Sequence, residues 1–179
     1  MRVISGKYRG KKLKEFDLDT TKPTLDRVKE SMFNLIQFDI ADSVVCDLFA
    51  GTGALGIECI SRGAKKVVFV DNNPKAIKII KENLNNISGD YCVENNDNFD
   101  FLKHCNTKFD IFLIDPPYKT DLGINSIKQI IQNNLLKANG IIIFETSKDL
   151  QFDFDFLTNF DVDRRTYGTV AVYKFVKKD

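Results

Sequence analysis

An open α/β sheet of seven strands, parallel except for an antiparallel last strand, is predicted by three observations. From residue 43 onward, short apolar runs alternate with amphipathic stretches, the pattern of consecutive strand and helix units. Runs such as Val67-Val68-Phe69-Val70 and Ile111-Phe112-Leu113-Ile114 are apolar throughout, which suits strands covered on both faces. A glycine-rich turn, Asp47-Leu48-Phe49-Ala50-Gly51-Thr52-Gly53-Ala54-Leu55-Gly56, joins the first strand to its helix, and ligands of such sheets bind beyond the carboxyl ends of the strands.

In chain order, residues 1–16 contain two short strand-like pieces around Gly6 and Gly10, a plausible basic β-hairpin. Thr20 to Thr24 reads as a loop ending in a helix N-cap at Thr24. Leu25, Val28, Met32, Leu35 and Ile36 then recur at spacings of three and four, which predicts an amphipathic leading helix over 24–37. Its other face presents Arg27, Glu30 and Asn34, and the helix leads into the glycine-loop strand, where it could floor a pocket. The Rossmann-like core occupies 43–179. Strands are expected near 43–48, 66–71, 91–94, 110–115 and 140–145, with helices near 54–62, 74–86, 98–104 and 124–136. The runs Phe160–Arg165 and Thr169–Phe175, joined through Tyr167-Gly168, predict a final hairpin. No repeat or linker divides the chain, so 1–179 is expected to form one domain.

Of the 179 residues, 43% are hydrophobic and 28% charged, ordinary values for a soluble globular chain. No segment has the apolar length of a membrane span and Met1 to Gly6 is no secretory signal, so cytoplasm is the expected location; the chain is expected to act as a monomer. Cys46, Cys59, Cys92 and Cys105 form no C-x-x-C pair and read as small packed thiols. His104 is the only histidine and reads as a solvated helix-end residue; neither a metal site nor a Ser/His/Asp triad is expected. Arg2, Lys7, Arg9, Lys11, Lys12 and Lys14 stand among residues 1–14 without an acid, a local charge of +6 in a chain of net charge +1. Interleaved with Tyr8 and two glycines, these bases point to nucleic-acid contact, with Arg2, Lys7, Tyr8, Arg9, Lys11 and Lys12 as candidates.

A glycine loop alone does not name its ligand. Asp47 at the strand end is a poor neighbour for a pyrophosphate but a good one for a cation or hydroxyl. S-adenosylmethionine (SAM) carries an ammonium, a sulfonium and a ribose but no phosphate, so Asp47, Phe49, Ala50, Gly51 and Gly53 favour SAM over a nicotinamide dinucleotide. The second strand ends in Asp71-Asn72, where an acid can accept both hydrogen bonds of a ribose diol. The third ends in Glu94-Asn95-Asn96-Asp97-Asn98, polar groups suited to an adenine amino group; Asp97 could equally cap the following helix.

The fourth strand ends in Asp115-Pro116-Pro117-Tyr118. Two prolines stop the ladder and fix an extended backbone, aiming a carboxylate and carbonyls at one point beside an aromatic ring. Methyl transfer to an exocyclic base amine needs this. The amine lone pair is delocalised, and acceptors for its two N–H groups stabilise the pyramidal transition state more than the flat ground state. Tyr118 could stack on a flipped or unpaired base.

This motif with the Asp47 to Gly56 loop resembles the amino-group N-methyltransferases of DNA and RNA. Arg2 to Leu13 (RVISGKYRGKKL) and Lys22 to Asn34 (KPTLDRVKESMFN) resemble one branch, the RsmD-type methyltransferases. The resemblance implies a class I SAM-dependent methyltransferase fold and methylation of a guanine N2 in 16S ribosomal RNA, on the small subunit or its assembly intermediate. Asp47, Gly51, Gly53, Asp71, Asp97 and Asp115 to Tyr118 match the family's sites, whereas Asn96 stands where a small residue is common. The motif itself leaves adenine N6 of DNA or another RNA open as the acceptor, and a non-catalytic RNA-assembly scaffold is the alternative outside enzymes.

Overall fold

The computed structural model describes residues 1–16, 23–118 and 120–179. Seven strands form one sheet in the order β3-β2-β1-β4-β5-β7-β6, comprising β1 (Val44–Leu48), β2 (Lys66–Asp71), β3 (Asp90–Asn95), β4 (Phe109–Ile114), β5 (Leu136–Ser147), β6 (Phe160–Tyr167) and β7 (Val170–Lys177). The first five pair in parallel, and β7 inserts antiparallel between β5 and β6. Helices α1 (Pro23–Leu35), α2 (Ala54–Ser61) and α3 (Pro74–Asn83) pack on one face, α4 (Asn98–His104) and α5 (Leu122–Gln132) on the other. Alternate strand residues feed the two cores: Val45, Phe69 and Leu113 point one way, Cys46, Val70 and Phe112 the other.

The expected elements are present, with shifted ends. Helix α1 starts at Pro23, so Thr24 lies inside it rather than at its cap; proline is tolerated in the first turn, where its missing N–H has no partner to lose. The preceding loop from Thr20 to Lys22 and the side chain of Leu25 fall outside the described residues. Helix α5 ends at Gln132, not 136, because Asn134 turns to φ 51° and releases Leu135-Leu136 into the next strand. Strand β5 is correspondingly longer at its start, with a register shift opposite Phe109 to Ile111. Cys46 and Cys59 are buried, but Cys92 and Cys105 are only half-buried, since Cys92 stands on the edge strand β3 and Cys105 ends α4.

The N-terminal hairpin is minimal, a single Arg2–Lys12 antiparallel bridge with Val3 N donating to Lys11 O and Gly10 N to Val3 O. The body of the protein holds it in place. Glu58 of α2, fully buried, accepts hydrogen bonds from the backbone amides of Ile4 (2.8 Å) and Ser5 (3.0 Å) and pairs with Lys29 (3.0 Å) and Arg62 (2.8 Å). A side chain on Gly6 would collide with the Ser61 carbonyl, so only glycine permits this approach. On α3, Asn83 exchanges two hydrogen bonds with the Lys14 backbone and donates to Thr52 O in the glycine turn. The basic segment is thereby tied to the glycine turn that β1 and α2 carry.

Candidate functional site

At the carboxyl ends of β1 to β5 lies a cavity of about 570 Å³, lined by Phe49, Gly51, Asp71, Asn72, Asp97, Asn98 and the whole of Asp115 to Tyr118. The chain thus brings together five strand ends that are remote in sequence, that of β5 through Glu145. A second cavity of about 270 Å³, lined in part by Met1, Lys29, Met32 and Leu55, meets the first at Phe16, Phe49, Gly51, Asp115 and Glu145. Helix α1 does floor part of this second space, through Lys29 and Met32.

The glycine loop gets its shape from three residues at positive φ, Phe49 (67°), Gly51 (56°) and Gly53 (77°), which carry the chain out of β1 and into α2. Gly56 is required for packing: a Cβ there would run into the Phe69 ring. Asp71, at the end of β2, accepts from Gly51 N through Oδ2 (2.8 Å) and from Asn73 N through Oδ1 (2.8 Å), so it braces the loop from across the sheet. Each oxygen keeps a second lone pair for a ribose hydroxyl. Asp97 caps α4, accepting from Phe99 N (2.9 Å) and Asp100 N (3.2 Å), while still lining the cavity. Both of its sequence readings are therefore compatible.

Asp47 occupies a different place from the one its sequence position suggests. It is 1% exposed, lines neither cavity, and accepts from Gly56 N at 2.8 Å, beneath the loop. Burial, opposed by the Gly56 amide and reinforced by Asp71, pushes its carboxyl up to about 8. A carboxyl raised on folding binds its proton more tightly in the folded state, so stability falls as pH rises from roughly 4 toward 8. In Asp47→Asn, which keeps an acceptor for Gly56, that decline is expected to flatten when unfolding by urea is compared at pH 5 and pH 8. An equal decline in both proteins would mean that Asp47 is already ionised when folded.

The Asp115 carboxylate, partly buried at the end of β4, has no hydrogen-bond partner among the described residues. Burial, Glu145 and Asp47 together hold it well above the usual carboxylate range. Tyr118 is 47% exposed, and its hydroxyl donates to Glu145 Oε1 at 2.5 Å; burial and the same carboxylate push the phenol up. Glu145, at 6% exposure near the end of β5, was not expected from the sequence, nor were Phe16, Phe99 and Leu122 as cavity walls. A signal for Glu145 existed: it is the acid that ends the apolar run Ile141-Ile142-Ile143-Phe144, at the strand end after Asp115.

Among the described residues lining the larger cavity there are four acids, Asp71, Asp97, Asp115 and Glu145, and no lysine or arginine. Such walls repel phosphates and suit a cation with hydroxyl and amino groups, so they fit SAM. No described group of three or more His, Cys, Asp or Glu could hold a metal ion, and no described helix is long and apolar enough to cross a membrane.

The basic segment divides. Arg2, Lys7, Arg9 and Lys12 are exposed, with Lys7 5.3 Å from the Tyr8 ring centre. The Tyr8 hydroxyl is engaged by Ser88, donating to its carbonyl (3.2 Å) and accepting from its amide (2.8 Å). Lys11 Nζ donates to Asn85 O at 2.6 Å, so Tyr8 and Lys11 help to anchor the segment. His104 is exposed at the end of α4, its Nδ1 2.9 Å from Asp100 O.

The model of the family described as "Conserved hypothetical protein 95" matches residues 1–176. The chain is 39% identical over 154 residues to ribosomal RNA small subunit methyltransferase D of Haemophilus influenzae, covering 83% of this chain and 80% of that protein. It is 36% identical to a putative ribosomal RNA methyltransferase of Bacillus subtilis, covering 97% and 98%. Among solved structures it superposes on a putative methyltransferase from Escherichia coli with a TM-score of 0.87 at 28% identity, covering 99% and 98%. A putative methylase from H. influenzae gives 0.83 at 35%, with the same coverage.

Proposed function

Because the chain belongs to the family of Conserved hypothetical protein 95, the RsmD family, whose fold is that of a SAM-dependent methyltransferase, we propose that it methylates the exocyclic N2 amine of a guanine in small-subunit ribosomal RNA. The observation that carries this reading is the Asp115 carboxylate, unpartnered among the described residues and opening on an acid-walled cavity at the start of Asp-Pro-Pro-Tyr. Relatives named for ribosomal RNA methylation support the substrate class. In this reading the whole chain works as one domain and as a cytoplasmic monomer.

Bound SAM supplies an electrophilic methyl group on a sulfonium. Asp71 holds its ribose hydroxyls, and Asp97 and Asn98 face its adenine. The Gly51 to Gly53 turn leaves room for the close approach. Asp115 and the Pro116 carbonyl accept the two N–H groups of the base amine, drawing its lone pair out of conjugation as nitrogen becomes tetrahedral. Tyr118 offers a stacking face to the unpaired base. Incubation with labelled SAM and undermethylated small subunits, followed by nucleoside analysis, is expected to yield N2-methylguanosine. Label found only in N6-methyladenosine, or only in DNA, would overturn the assignment.

The exposed bases of the N-terminal segment bind the RNA backbone in this reading. Replacing Lys7, Arg9 and Lys12 with glutamine is expected to weaken small-subunit binding and to flatten the log K against log salt slope by about 2 to 3, roughly 0.7–0.9 for each phosphate that is no longer neutralised. SAM affinity should stay unchanged. A slope equal to that of wild type would mark these residues as ordinary surface.

A further inference from the structure

The Asp-Pro-Pro-Tyr segment provides acceptors for an exocyclic amine but does not tell guanine from adenine, since both purines present such an amine. They differ at the adjacent ring nitrogen. Guanine carries a donor there, N1–H, whereas adenine N1 beside N6 is an acceptor. A discriminating group would be an acceptor placed next to Asp115.

Glu145 is such a group. It projects from β5, the strand paired with β4, and stands with Asp115 on the wall shared by the two cavities. Its Oε1 accepts from the Tyr118 hydroxyl at 2.5 Å. Among the described residues, the one fully buried side-chain polar atom without a partner is Asn98 Oδ1; Glu145 Oε2, which no described protein group engages, is therefore open to the cavity. A tyrosine hydroxyl donating to one oxygen leaves the other as an acceptor.

We infer that Glu145 is the specificity-determining residue of the site, its free oxygen accepting the N1–H of the target guanine while Asp115 and Pro116 take the N2 amine. This rests on the guanine-N2 reading above and extends it. A purine with an N1 lone pair would face a carboxylate lone pair and lose the bond, which disfavours adenine and 2-aminopurine alike. The Tyr118 bond gives the same carboxylate a second task, holding the stacking ring in place.

2-Aminopurine isolates the point, because it keeps the N2 amine and lacks N1–H. Small subunits are reconstituted on ribosomal RNA carrying either guanosine or 2-aminopurine at the position that the wild-type protein methylates. Wild type is expected to prefer guanosine by about 10- to 100-fold in kcat/KM, the worth of one hydrogen bond to a charged group. In Glu145→Gln, with the Tyr118 hydroxyl still donating to the amide oxygen, the amide nitrogen offers a donor instead, which opposes N1–H and suits the N1 lone pair of 2-aminopurine, so the preference should fall below one. Glu145→Ala, which presents neither group, should bring it to near one. Tyr118→Phe should slow both substrates and keep the preference.

Equal use of the two purines by wild type overturns the inference without any variant. So does a preference that survives both Glu145 substitutions, or one that Tyr118→Phe abolishes as fully as Glu145→Ala, since Glu145 would then act only through the tyrosine. Failure of wild type to form N2-methylguanosine at all is a separate result and overturns the reading beneath. Retained SAM binding by titration identifies variants that are folded.

Discussion

Asp115→Ala is expected to lower kcat for methyl transfer by about 10³-fold while leaving SAM affinity within a few-fold, as for the removal of a group that acts on the transition state alone. The Asp115 carboxylate makes no hydrogen bond to the described protein, so its loss disturbs little of the fold. What the variant lacks is the acceptor for an N–H that becomes acidic as the nitrogen turns tetrahedral. Turnover unchanged in this variant would refute the role of the motif, and would revive the view of the protein as a SAM-binding scaffold. Asp115 accepts most strongly when ionised, and burial, Glu145 and Asp47 all raise it. The acid limb of the rate profile should therefore lie well above the ordinary carboxylate range, with activity falling as pH drops through it. Asp115→Asn, slower throughout, should lose the part of the limb that Asp115 contributes.

The largest effect on stability is expected at Glu58, remote from the chemistry. Burial pushes its carboxyl up, but Lys29, the Ile4 amide and Arg62 outweigh burial and hold it below its ordinary value. Glu58→Ala removes the carboxylate and leaves Lys29, 3% exposed, with the Arg2 carbonyl but without that counter-charge, and the amides of Ile4 and Ser5 without their acceptor. Breaking a buried pair from one side costs about 3–5 kcal/mol. Urea unfolding should show that loss, and limited proteolysis should cut the first sixteen residues before the rest. The sign with pH follows from the lowered value: Glu58 stabilises the fold above the ordinary glutamate range, and that contribution is lost as pH falls through its folded value. A loss below about 1 kcal/mol would mean that water replaces the carboxylate cheaply.

Much of the molecule was legible in the chain. The β1 turn and α2 follow from residues 47–56, and the Asp115 to Tyr118 elbow from four adjacent residues, because turn chemistry and strand periodicity are written in local spacing. Element ends were less so: α5 stops at Gln132, just before Asn134, although the apolar pattern runs on to Leu136, since one left-handed backbone residue outweighs periodicity. Asp71, Asp97 and Asp115, picked out by the strand-end rule, line one cavity.

Other features depended on pairs of residues far apart in sequence. Tyr118 and Glu145 are 27 positions apart, Ile4 and Glu58 54, Tyr8 and Ser88 80, and no local pattern encodes such pairs. Whether a charged side chain meets solvent, a ligand or another side chain is settled only when the sheet closes. Tertiary packing put Asp47 under the loop instead of in the cavity and turned Lys11 and Tyr8 into anchors. It also set Glu145 beside Asp115, where a second carboxylate can do what the motif alone cannot. The sequence by itself determined the fold class and the strand ends that supply the site, since both rest on local periodicity and turn chemistry. Tertiary structure alone decided which of those polar groups remain open to a ligand, because burial and partnership are properties of the assembled sheet.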